Sequence, residues 1–115
     1  MISNLINMQN ITLKNLETIT HPQTKMMFWF LFASSRGAPT RIRIIKLLQN
    51  QPYNTHQISQ ELAMEYKGVK HHLNILEKNN LIRKFDATYG GMYFLLPLFE
   101  ENQNLFNEIA LKCKC

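Results

Sequence analysis

The chain has 115 residues, 45% of them hydrophobic and 18% charged, with a net charge of +5. That length and balance imply one domain with a real core and exclude wholesale disorder. The longest apolar run, Met26 to Ala33, is too short to span a bilayer, and the N-terminus has neither a basic leader nor a small-residue cleavage site, so the expectation is a cytoplasmic protein with no membrane partner.

The charge is unevenly placed. From Arg36 to Lys84 nine basic residues face three acids (Glu61, Glu65, Glu77), which leaves the ends of the chain near neutral and points to a localised anionic partner. Residues 1–21 are rich in Asn and Ile without a clean period and read as an arm or a short helix, closed by His21-Pro22. A helix is expected next, from about Gln23 to Ser35. Met26, Met27, Phe28, Trp29, Phe30, Leu31 and Phe32 put apolar surface on every side of it, and such a helix has to be buried all round. One small domain covers only part of that surface, so a second subunit is expected to meet it at Met27, Phe28, Phe30 and Leu31.

Gly37 breaks that helix, and Pro39 suits the first turn of the next, which runs to about Gln49 with Ile42, Ile45 and Leu48 in one row. Gln51-Pro52-Tyr53-Asn54 reads as a turn. Thr55 is the expected N-cap of a third helix, Thr55 to Ala63, buried through Ile58 and Leu62. Only Met64 and Glu65 separate it from a fourth pattern, and so short a link is the mark of a helix-turn-helix. At about 100° per residue, Val69, Leu73 and Leu76 share one sector, with Tyr66 and His72 at its edges. Lys67, Lys70, His71, Asn74 and Lys78 lie opposite. Amines, an imidazole and an amide facing outward suit a polyanion with readable edges, as in a recognition helix (about 65–79) entering the major groove of DNA. His72, on the buried edge, reads as a structural histidine with a local partner.

Two β-prone runs around Gly90-Gly91 then form a hairpin, a wing over 81–96, carrying Arg83, Lys84, Thr88 and Tyr89 for phosphate or minor-groove contact. Pro97 starts a last helix to about Lys112, with Leu98, Leu105 and Ile109 in one stripe and Phe99, Phe106 and Ala110 beside it. Leu98, Leu105, Phe106 and Ile109 make it a second dimerisation candidate, able to pack against the first helix across a two-fold axis.

The blocks Gly37-Ala38-Pro39-Thr40-Arg41-Ile42-Arg43-Ile44-Ile45-Lys46-Leu47-Leu48, Ile58-Ser59-Gln60-Glu61-Leu62, Val69-Lys70-His71-His72-Leu73-Asn74-Ile75-Leu76 and Asn80-Leu81-Ile82 together resemble the ArsR-like winged helix-turn-helix regulators. The match spans roughly residues 24 to 100, and the Phe-Trp-Phe-Leu-Phe lead and Tyr-Gly-Gly-Met-Tyr-Phe-Leu hairpin are most similar to archaeal members. The resemblance implies a mainly α fold with a β-hairpin wing and a transcriptional regulator that binds double-stranded DNA. In that frame 22–96 is the DNA-binding domain, and 97–115 is a dimerisation helix with a cysteine-containing tail. The expected DNA contacts are Thr55, Lys67, Gly68, Lys70, His71, Asn74, Lys78, Arg83, Lys84 and Tyr89.

There are departures from the family pattern. Metal-sensing members carry a Cys-x-Cys motif in the helix before recognition, whereas Thr55 to Ala63 has no cysteine and one histidine, His56, so metal sensing is not carried over. Ala63 stands where glycine is common, Glu65 where a better N-cap is usual, and Gly68 where Ser or Thr often touches phosphate. Cys113 and Cys115 form the second site of interest: two thiols at i and i+2 can hold a soft metal or cross-link two subunits, or simply end a tail. No nucleophile–base constellation and no glycine-rich phosphate loop is visible, so no enzyme, catalytic residue or cofactor is expected. A winged-helix adaptor that meets an acidic protein is the competing class, and the effector is not readable.

Overall fold

The computed structural model describes residues 21–85 and 90–113. Helix α1 (Pro22–Trp29) begins on a proline, whose missing amide hydrogen is one that a first turn leaves unpaired anyway. His21 caps it, its ring nitrogen accepting from Gln23 N at 3.3 Å. It runs without a break into a π-helical turn, Phe30–Ser34. Carbonyls at this helix end find side-chain donors: Ser35 Oγ donates to Phe30 O at 2.6 Å, and Arg41 Nε to Leu31 O at 2.8 Å.

Helix α2 (Ala38–Asn50) buries Ile42, Ile44, Ile45 and Leu48, together with Arg41. Helix α3 (Thr55–Leu62) opens on a reciprocal capping box: Gln57 N donates to Asn54 Oδ1 at 2.7 Å, and Asn54 N to Gln57 Oε1 at 2.9 Å. The cap is therefore Asn54, one residue before the expected Thr55. An amide that both caps and is capped outcompetes a lone hydroxyl. Thr55 enters the first turn and is only 5% exposed. The helix stops at Ala63, whose φ of 53° lies in the left-handed region that favours glycine.

Helix α4 (Tyr66–Lys78) occupies the expected residues, with Val69, Leu73 and Leu76 buried. Glu65 stands at its N-cap without a side-chain hydrogen bond. Strands β1 (Ile82–Lys84) and β2 (Tyr93–Leu95) pair antiparallel in the register Ile82 with Leu95, Arg83 with Phe94 and Lys84 with Tyr93. Tyr53, expected only as part of a turn, adds a bridge to Tyr93, whose amide donates to Tyr53 O at 2.8 Å. On the turn side of the wing Gly91 has φ +65°, and a Cβ there would lie 2.6 Å from Lys84 Cε.

The expected single C-terminal helix is two. Helix α5 (Pro97–Glu101) and α6 (Gln103–Cys113) meet at Asn102, whose side-chain amide donates to Leu98 O at 2.8 Å and whose backbone leaves the helical region at φ −115°, ψ 21°. A side chain that takes the local carbonyl competes with helix continuation. On either side of the break, Phe99 and Phe106 both enter the core, where they join Phe28 and Phe32. Ring centroids are 5.0 Å apart for Phe32–Phe106, 5.2 Å for Phe99–Phe106 and 6.0 Å for the stacked Phe28–Phe99 pair. One hydrophobic core thus runs from Phe28 to Ala110.

This packing corrects the dimer expectation at four positions. Phe28, Leu31, Phe106 and Ile109 are buried inside the protomer, because α1 and the π-turn pack against α6 of the same chain. They are core residues and offer no surface to a partner. What α1 and the π-turn leave outside is Met26 (72% exposed), Trp29 (49%) and Phe30 (57%), of which Phe30 is one of the expected contact residues. Met27, Leu98 and Leu105 are half-buried against the core. No helix among the described residues is long and apolar enough to cross a membrane.

Candidate nucleic-acid interface

The apolar stripe of α4 seats it on the core, and that seating decides which side chains face outward. Lys67, His71, Asn74 and Lys78 are exposed along one side, and Arg83 and Lys84 are exposed on the adjoining strand. Among the described residues the ion pair is Lys112 with Glu108 at 3.8 Å, far along the chain, so Lys67, Lys78, Arg83 and Lys84 make no salt bridge there. Thr88 and Tyr89 fall outside the described residues. Thr55 is buried, and its side chain does not join this surface.

Lys70 departs from the expected face. It is half-buried, and its ammonium donates to the Tyr93 hydroxyl at 3.0 Å. That bond holds the amine above its ordinary pKa, with burial opposing. The periodicity pointed to a solvated lysine; the hydroxyl that takes it lies 23 residues away and is invisible to a helical wheel.

Gly68 has room around it. A Cβ would meet only Met64 Cε, at an ordinary 3.8 Å. Nothing in the protein therefore requires glycine, while glycine costs a helix interior about 1 kcal/mol relative to alanine. Gly68→Ala is expected to raise stability by up to about that amount in denaturant melts. A variant that melts earlier would contradict this. If duplex affinity drops while stability rises, the demand for glycine comes from the DNA side.

Beneath the surface lies a polar node that the sequence reading missed. Arg41 is 3% exposed and reaches three residues: Nε donates to Leu31 O, Nη2 to Ser35 Oγ, and Nη1 lies 3.2 Å from His72 Nδ1. Guanidinium can only donate, so His72 Nδ1 is the acceptor and the imidazole is neutral, with its proton on Nε2. Burial lowers the His72 pKa, and the charges of Arg41 and His71 lower it further. The partner of His72 is thus an arginine 31 residues away, not the local group expected. Its signal was present: Arg41, Ile45 and Leu48 stand at i, i+4 and i+7 on the buried row of α2. Gly37 makes room for the node, since a Cβ there would run into the His72 ring and lie 2.6 Å from Arg41 Nη1.

Of the cysteine pair, Cys113 is half-buried and donates to Phe32 O at 3.4 Å, while Cys115 lies outside the described residues.

Residues 38–84 match the family model described as bacterial regulatory protein, arsR family. Neither the curated proteins nor the solved structures gave a match. The matched segment covers α2, α3, α4 and the first strand of the hairpin, in the order and spacing that the fold displays. With that hairpin completing it, the matched segment has the ArsR-like winged helix-turn-helix architecture, which supports a DNA-binding transcriptional regulator.

Proposed function

We propose that the protein regulates transcription as a homodimer on double-stranded DNA, with α4 in the major groove and the hairpin on the backbone or minor groove. The observation that carries this is the outward side of α4, where Lys67, His71, Asn74 and Lys78 are exposed and make no salt bridge among the described residues, continued by Arg83 and Lys84. Asn74 suits bidentate reading of adenine, and Lys67 a guanine edge or phosphate. Helix α4 contains no arginine, the commonest guanine reader, so recognition leans on phosphate contacts and A/T-rich shape.

The dimer reading is supported by the face that α1 leaves open. Pro22, Lys25, Met26, Trp29, Phe30 and Ser34 line an apolar groove of about 440 Å³ there. Partly exposed Leu98, Leu105 and Met27 are further candidates for the same contact. The division of the chain follows: the DNA-binding unit over 22–96 and the C-terminal helices and tail over 97–115, while the expected arm or short helix over 1–21 lies outside the described residues but for His21.

Sedimentation and selection from random duplexes test both halves. The expected result is twice the 13.6 kDa chain mass and a two-fold symmetric, A/T-leaning site with half-sites about one helical turn apart. Phe30→Glu should yield a folded monomer that binds that site about a hundredfold more weakly, through lost avidity. A monomeric wild type or a guanine-rich consensus would count against the reading.

A further inference from the structure

We propose that Lys70 and Tyr93 form a clamp that sets the angle between the recognition helix and the wing, so that Lys70 positions the DNA-binding surface and does not read DNA. The inference rests on the DNA reading above and reassigns one of its residues.

The geometry has two parts. Lys70 Nζ donates to Tyr93 Oη at 3.0 Å, and Tyr93 is fully buried. The same ammonium is 5.7 Å from the ring centroid, at the outer limit for a cation–ring attraction, so the hydrogen bond is the contact that matters. Tyr93 is itself immobilised: its amide donates to Tyr53 O at 2.8 Å, and it pairs across the hairpin with Lys84. The acceptor that Lys70 meets is therefore a fixed point of β2.

A second tie engages the other strand. The amide of Lys84 in β1 donates to Glu77 Oε2 at 3.3 Å. Residues 70 and 77 are about two helical turns apart, roughly 10 Å along α4. A two-stranded hairpin is marginal by itself and free to pivot about its base. Fastened to the helix at two separated points, one on each strand, it loses that freedom. The wing cations Arg83 and Lys84 then keep a set distance from Lys67, His71, Asn74 and Lys78, and one rigid surface meets the duplex. Orientation fixed before binding is not paid for during it.

Tyr93→Phe is the discriminating variant, because it keeps the ring, the packing and every positive charge. Amide exchange of Arg83, Phe94 and Leu95 in the free protein should quicken. Duplex affinity should fall about tenfold, the low end of what a hydrogen bond to a charged group is worth. The salt slope of binding should stay as in the wild type. In footprints the wing-side phosphates should lose protection while the major-groove contacts of α4 persist, a split that general loss of stability would not produce. Lys70→Met should lose affinity alike, the double variant should add nothing, and Lys70→Arg should restore most of it.

The proposal is overturned if Tyr93→Phe binds as well as or better than the wild type while Lys70→Met flattens the salt slope by about one, the mark of a direct phosphate contact. Unchanged amide exchange in Tyr93→Phe overturns it as well. A wild-type protein that shifts no duplex at low salt overturns the DNA reading and the positioning role together, whereas wild-type binding with an indifferent Tyr93→Phe overturns the positioning role alone.

Discussion

Arg41→Met is expected to lower the unfolding free energy by about 3 kcal/mol, because it removes the buried donor that several acceptors share. Methionine replaces much of the buried stem. It leaves Leu31 O, at the end of the first helix, and His72 Nδ1, on the recognition helix, without the guanidinium that now serves both. Each stranded buried acceptor costs on the order of 1–3 kcal/mol. Arg41→Lys should recover only part of the loss, since one ammonium cannot reproduce a planar fork that spans Leu31, Ser35 and His72. Urea titration reads both variants, and an Arg41→Met protein within about 0.5 kcal/mol of the wild type would contradict the account.

The same node makes stability depend on pH. His72 is neutral in the fold, its pKa lowered from 6.5 by burial first, then by Arg41 and His71. The unfolded chain therefore binds the proton more readily. The stabilisation is complete above pH 6.5 and is lost as pH falls from there toward the lower folded value. His72→Gln, which keeps an acceptor for Arg41 but does not titrate, should flatten that part of the profile.

Much of this fold was legible because it is local. The bounds of the recognition helix followed from one clean 3.6-residue stripe, Val69, Leu73 and Leu76. The hairpin followed from β-prone runs around Gly90-Gly91. Local periodicity cannot say which chain covers an apolar face, and there the reading went furthest astray. The first helix is apolar all round, but Phe28, Leu31 and Phe32 are covered by the protomer's own C-terminal segment. That cover depends on the break at Asn102, a competition between side chain and backbone that an apolar stripe does not reveal. The two missed polar contacts, Arg41 with His72 and Lys70 with Tyr93, join residues 31 and 23 positions apart. Both displace a basic residue that looked like surface charge. Four exposed cations per protomer remain beside the proposed groove: Lys67, Lys78, Arg83 and Lys84.

Those four cations make the largest effect expected of the system. A subunit that neutralises about three phosphates gives a dimer a log–log salt slope of roughly −5, since each contact releases about 0.9 of a counterion. Between about 50 and 200 mM salt, affinity should then fall about a thousandfold. Long-range attraction between exposed charges fades over the same range, because the screening length drops below about 10 Å. Equilibrium binding of the purified protein to a duplex carrying its selected site, followed across that range, is the most direct measurement of whether this basic face meets DNA. A steep line of slope near −5 is the predicted result; an affinity that changes by less than about threefold from one end to the other would contradict it.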